Sequence, residues 1–225
     1  MIDNHVHLDL IEDNLDKVIN RARKVNVDKF IVPGVCGFPK KLDLLLKHKE
    51  VKICWGIYPK YAQNDDFIEK EFNKFNKSSI DIVAIGECGL DKRYPCLDKQ
   101  ISLFKKQIEI AKAYNLPLII HLVGYWQKAF EILKEAEAIF ILHSWNGSVE
   151  MAKEFFNIGA TFSLSASSLR NTKKLSDFFK IIPEDRIIFE TDSPDQKPEF
   201  ILANFNEPAY LPQIVEKIMS YQKKN

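Results

Sequence analysis

MIDNHVHLDL, residues 1–10, opens the chain. Asp3, His5 and His7 alternate through a short apolar run that includes Ile2, Val6 and Leu8. Successive side chains of a β-strand point to opposite faces. A strand here therefore puts both imidazoles on one face and the apolar side chains on the other. Two adjacent imidazoles are a ready pair of metal ligands. The same pattern also occurs on plain solvated strand faces. Its meaning turns on whether the rest of the chain supplies partners.

Working outward, short apolar runs alternate with longer amphipathic ones. Strands are predicted at 2–8, 29–32, 51–57, 80–85, 118–121, 139–143, 160–164 and 186–190. Helices are predicted at 14–24, 39–47, 66–76, 99–114, 126–134, 149–156, 173–179 and 208–222. Ile101, Phe104, Ile108 and Ala111 recur at helical spacing, as do Leu211, Ile214, Val215 and Ile218. Eight strand–helix units predict a parallel sheet closed into a (β/α)8 TIM barrel, an α/β fold, with residues 1–225 as one domain. Apolar strands without clean alternation fit burial on both faces. An open doubly wound sheet is the alternative, but no GxGxxG follows the first strand.

The 225 residues are enough for one such barrel. With Lys+Arg 32 against Asp+Glu 31, the net charge of +1 gives no global pull toward nucleic acid or a membrane. Cys36, Cys54, Cys88 and Cys96 form no CxxC pair and are read as reduced thiols. No leader pattern is visible, and no window approaches the ~20 apolar residues of a membrane helix. The expectation is a cytoplasmic protein with no membrane and no protein partner.

Barrel chemistry sits at the C-terminal ends of the strands. His5 and His7 fall near the end of the first strand, and Glu87 follows the fourth in AIGECGLDK. His121 closes the fifth, His143 the sixth, and Asp192 follows the eighth in IIFETDSP. Only His48, in a charged helix end, lies elsewhere among the five histidines. A lone histidine is most often a hydrogen-bonded core residue, and a lone acid at such a place most often caps a helix. Six such groups on one rim point to a metal centre.

The stretches DNHVHLD, AIGECGLD, PLIIH, LHSWNGS, ETDSP and NEPAYLP resemble, in order, the motifs of the TatD family of metal-dependent hydrolases, amidohydrolase-like barrels. The resemblance runs from Ile2 to about Ile218. It implies that His5, His7 and Asp192 hold one divalent ion. Glu87 would bridge to a second ion, held also by His121 and His143. It implies magnesium-, manganese- or zinc-dependent DNase activity, with single-stranded DNA as the substrate. Asp192 is the candidate to take a proton from a bridging water, and Glu87 the second catalytic group. Glu190, two before Asp192, is either a support for the ligands or part of a structural ion pair.

The chain departs from the family pattern in three places. Tyr58 stands in GIYP where relatives commonly have histidine, and Val123 in HLVGY where they have arginine. Trp145 is the aromatic after the sixth-strand histidine, and Asn146 replaces a small polar residue. Relatives also usually continue past the NEPAYLP helix, which implies that a terminal helix covering the barrel is missing here. Histidine and arginine are groups that steer a phosphate. DNA hydrolysis is therefore expected to be weak or to use other residues, with Lys60, Lys92 and Arg93 as candidates. Tyr58, Tyr61, Trp126 and Trp145 either line the mouth and stack a base or pack the rim loops. The alternative substrates are a small ester, lactone or amide. A binding module without activity is the third reading, and the complete ligand set speaks against it.

Overall fold

Parallel neighbours need long crossovers, and this chain supplies them mostly as amphipathic helices. A computed structural model describes residues 1–222. In chain order the elements are β1 (Ile2–Asp3), α1 (Leu15–Lys24), β2 (Lys29–Val32), β3 (Cys36–Gly37), α2 (Leu42–Leu45), β4 (Val51–Ile53) and β5 (Gly56–Ile57). There follow α3 (Asp65–Asn76), β6 (Ile85–Asp91), α4 (Leu97–Ala113), β7 (Leu118–Val123), α5 (Trp126–Ala136) and β8 (Phe140–Leu142). Last come α6 (Val149–Asn157), β9 (Thr161–Leu164), α7 (Thr172–Phe179), β10 (Ile187–Phe189) and α8 (Leu211–Met219).

Two parallel runs, β1-β2-β4 and β10-β9-β8-β7-β6, form the wall. Two sets of hydrogen bonds join them. A parallel bridge pairs Trp55 with Ile85, with Gly86 N–H donating to Trp55 O at 2.8 Å. At the other seam Asn4 N–H donates to Phe189 O at 3.2 Å, and its side-chain amide reaches the same oxygen at 2.9 Å. The eight parallel strands thus close into the predicted (β/α)8 barrel. β3 and β5 form a short antiparallel pair besides.

The helices form where apolar residues recur every turn. In α1, Leu15, Val18, Ile19 and Ala22 are buried, and the Asn14 side chain caps the helix by accepting from Lys17 N at 3.1 Å. Ile19 is fully buried, so Ile19→Ala would cost about 2–5 kcal/mol. In α4 the buried stripe includes two glutamines. Gln107 exchanges both hydrogen bonds with the backbone of Ile57, and Gln100 does the same with Asp91. Each satisfies a strand end that would otherwise be left unpaired in the interior.

The first strand is shorter than predicted. Past Asp3 the chain bends, with Val6 N–H on Ile31 O and His7 N–H on Ser193 O. His5 O accepts from Asp192 N at 3.0 Å. The segment is held between β2 and the end of β10 without regular pairing. The predicted strand at 51–57 is split into β4 and β5.

The fourth barrel strand lies further along than predicted, at Ile85–Asp91 instead of 80–85. Its glycines hid it, because glycine is poor in strands. They are required by close packing. A Cβ on Gly89 would sit 2.0 Å from His121 O, and one on Gly86 would sit 2.5 Å from Ile119 O. Glu87 is therefore inside a strand whose residues are all buried, not after it.

Candidate metal centre

Six side chains from five places on the rim converge. His5, His7, Glu87, His121, His143 and Asp192 are all buried. His5 Nε2 and His7 Nε2 face each other at 3.3 Å. Glu87 Oε2 is 3.6 Å from the first and 3.7 Å from the second. Asp192 Oδ1 is 3.6 Å from both. On the other side, Glu87 Oε1 lies 2.8 Å from His121 Nδ1 and 3.4 Å from His143 Nε2. One carboxylate thus divides its two oxygens between two pairs of imidazoles.

These spacings fit metal ions. Donors about 2.0–2.2 Å from one ion lie roughly 3–3.6 Å from each other. His5, His7 and Glu87 can hold one ion together, as can Glu87, His121 and His143. His5, His143 and Asp192 make a third compatible set.

The histidines are held in two ways. His121 Nε2 is 2.9 Å from Asp91 Oδ2, and His143 Nδ1 is 2.9 Å from Glu190 Oε1. Each carboxylate orients its ring and leaves the other nitrogen aimed at Glu87. Glu190 also accepts from the Ser163 hydroxyl. His5 and His7 have no such brace, and their Nδ1 atoms are buried without hydrogen-bond partners. Backbone bonds fix the segment instead, from His5 and His7 to Asp192 and Ser193 after β10 and from Val6 to Ile31 on β2. Asp192 Oδ2 accepts from the Gln196 amide, whose Oε1 accepts from Ser165 Oγ at 2.6 Å.

Charge is balanced inside the cluster. Burial alone would raise the Glu87 carboxyl, but His143, His121 and His5 hold it well below the usual range. Burial pulls His143 down, and Glu190, Glu87 and Asp192 outweigh it, raising the imidazole to about 10. Burial lowers His5, and the His143 ring stacked on it at 3.9 Å adds to that. Burial raises the Asp192 carboxyl.

A family model, described as TatD related DNase, matches residues 2–225. This chain belongs to the TatD-related DNase family. A relative from Bacillus subtilis, named as the uncharacterized metal-dependent hydrolase YabD, is 32% identical over 97% of this chain and 89% of its own length. A 3'-5' ssDNA/RNA exonuclease TatD from Erwinia amylovora is 26% identical over 90% of this chain and 84% of its own. The crystal structure of YJJV, a TatD homologue from Escherichia coli, superimposes with a TM-score of 0.85 at 23% identity, covering 98% of this chain and 90% of that one.

A cavity of about 500 Å³ opens over the TatD-type cluster. Tyr58, Tyr61, Lys60, Arg93 and Val123 line it, as do Tyr94, Ser144, Asn146, Ser167, Arg170 and Gln196. Trp126 and Trp145 lie outside this lining. They pack edge to face at 5.2 Å, and Trp145 is buried against Phe155 and Phe162. The Lys92 side chain lies against Gly124, also outside the lining.

Asp3 does not join the cluster. It accepts from Thr191 Oγ1 at 2.6 Å and Thr191 N at 2.9 Å, and burial pushes its carboxyl up to about 8. In the NEPAYLP stretch, Asn206 donates to Thr191 O at 2.9 Å and Glu207 pairs with Arg21 on α1. Asp3 thus ties the first strand to the segment after the last one, and the NEPAYLP stretch ties that segment and α1 together.

Asp91 was missed as a functional residue, although a signal existed. Glu87, Gly89 and Asp91 are two apart, so a strand through all three puts both acids on one face. Misplacing that strand concealed the relation. The Gln196 contact had no sequence signal, because Gln196 lies in an irregular loop.

Proposed function

We propose that this chain, as one catalytic unit over residues 1–225, hydrolyses phosphodiester bonds of single-stranded nucleic acid with two divalent ions. The observation that carries the reading is Glu87, whose two oxygens face separate histidine pairs. That is the arrangement a bridging carboxylate requires. The Erwinia relative named as an exonuclease on ssDNA and RNA supports the substrate class.

His5, His7 and Asp192 would hold one ion, His121 and His143 the other, with Glu87 shared. Four imidazoles suit manganese or zinc better than magnesium, which prefers oxygen ligands. When bound, such a pair lowers the pKa of a water toward neutrality and polarises the phosphoryl oxygen. Asp192 accepts the proton from the attacking water. Gln196 holds Asp192 Oδ2 and so leaves Oδ1 toward His5 and His7. Asp91 and Glu190 keep the rings of His121 and His143 turned inward. Burial pushes the Tyr58 phenol up, and the Glu87 and Asp91 carboxylates add to that, so it stays protonated as a donor beside His121.

Chelator treatment followed by metal return tests this. Cleavage of a single-stranded DNA oligomer should vanish with chelator and return with manganese or zinc, at up to two ions per chain. Full activity in the metal-free protein would sink the reading. So would a loaded protein that is inert on DNA and RNA but opens a lactone or carboxylic ester.

A further inference from the structure

We propose that Arg93 binds the substrate's phosphate, a role that rests on the phosphodiester reading above. Three cations line the cavity, Lys60, Arg93 and Arg170. Of these, Arg93 reaches the metal cluster: its Nη2 is 3.4 Å from His121 Nε2. That nitrogen is the one turned toward Asp91, and Arg93 shares the cavity lining with His121 and Glu87, so a ligand bound over the cluster enters the cavity the guanidinium lines.

The group is fixed before any ligand arrives. Arg93 Nε donates to both Asp91 oxygens, at 3.0 and 2.9 Å, and Nη2 to Oδ2 at 2.5 Å. Nη2 also lies 3.1 Å from Tyr58 OH, and the guanidinium sits 5.9 Å from the centre of the Tyr94 ring. Among the described residues Nη1 has no hydrogen bond, and the side chain is 57% exposed. One side of the fork is pinned, and the side chain lines the cavity. That geometry presents N–H donors to a phosphate oxygen with little further ordering to lose.

A purely structural role does not account for it. Asp91 already receives His121 Nε2 at 2.9 Å, Tyr58 OH at 3.1 Å and the Arg93 backbone N–H at 2.9 Å. Its carboxylate is satisfied without the guanidinium. Burial would raise Asp91, but His121 and Arg93 hold it well below the usual range. A neutral ester brings no charge for the guanidinium to meet on binding and develops one only in the transition state. An anionic diester meets the cation already on binding.

Steady-state kinetics on a single-stranded oligonucleotide with metal-loaded wild type, Arg93→Gln and Arg93→Lys test the assignment. Arg93→Gln should lower kcat/KM about 10- to 100-fold, with a raised KM and unchanged metal content. The salt dependence of log kcat/KM should flatten by about one unit of slope. Arg93→Lys keeps the charge but not the fork, and should recover part of the loss. Arg93→Gln with wild-type KM and salt slope would overturn the inference alone. So would lost metal content, which would make Arg93 a support for Asp91 and His121. A wild type that cleaves no phosphodiester would overturn the functional reading and this inference together.

Discussion

Glu190 Oε1 lies 2.9 Å from His143 Nδ1, with both side chains buried just past the ends of β10 and β8, two strands that β9 separates. The carboxylate selects which ring nitrogen faces the cavity. Glu190→Gln can still accept that hydrogen bond through its carbonyl, so the fold should survive. Metal affinity should drop about 10- to 100-fold, because the ring becomes less basic and less firmly oriented. Chelator competition monitored by metal analysis measures it. Unchanged affinity would reduce Glu190 to a packing partner of Ser163.

Asp192→Asn should lower hydrolysis by at least about 10³-fold while the barrel stays folded. The amide keeps the shape and the contact with Gln196, but not the charge or the proton-accepting oxygen. Removing a buried charge should leave the metal-free protein's melting temperature unchanged or raise it. A circular-dichroism melt beside a rate assay decides both halves. Full activity in the variant would remove Asp192 from the reaction.

Val123 lines the cavity and pairs in register with Asp91. Since Arg93 already stands beside that position, Val123→Arg should raise DNA cleavage by no more than about tenfold, and Val123→Leu not at all. A gain far above that would mean the phosphate is poorly held in the wild type. That result would count against Arg93.

The thiols of Cys54 and Cys88 are fully buried, and burial pushes both well above their ordinary value of 9.0. An alkylating reagent at mild pH should label exposed Cys96 first and reach these two only on unfolding. Unfolded thiols ionise near pH 9.0 while the folded ones stay neutral. The unfolded chain then binds fewer protons, so stability falls as pH rises, by about 1.4 kcal/mol per unit for each thiol. Urea melts between pH 8 and 10 read this slope, and replacing both cysteines with alanine should flatten it.

Seven of the eight barrel strands, their alternation with helices and the six candidate ligands were legible in the sequence. Periodicity reports burial, and ligand-type residues at strand ends report a rim, so both are local signals. The glycines of β6 broke that logic, since their reason is the close approach of His121 O and Ile119 O from a neighbouring strand. Only the tertiary structure decided which oxygen of Glu87 meets which histidines, and that Asp91 and Glu190 brace His121 and His143. It also decided that Arg93 and Tyr58 flank the cluster while Trp145 is core. These pairs are far apart along the chain, 47 residues for His143 and Glu190 and 35 for Tyr58 and Arg93. Barrel closure brings them within hydrogen-bonding distance, and no spacing in the sequence encodes which side chains then meet.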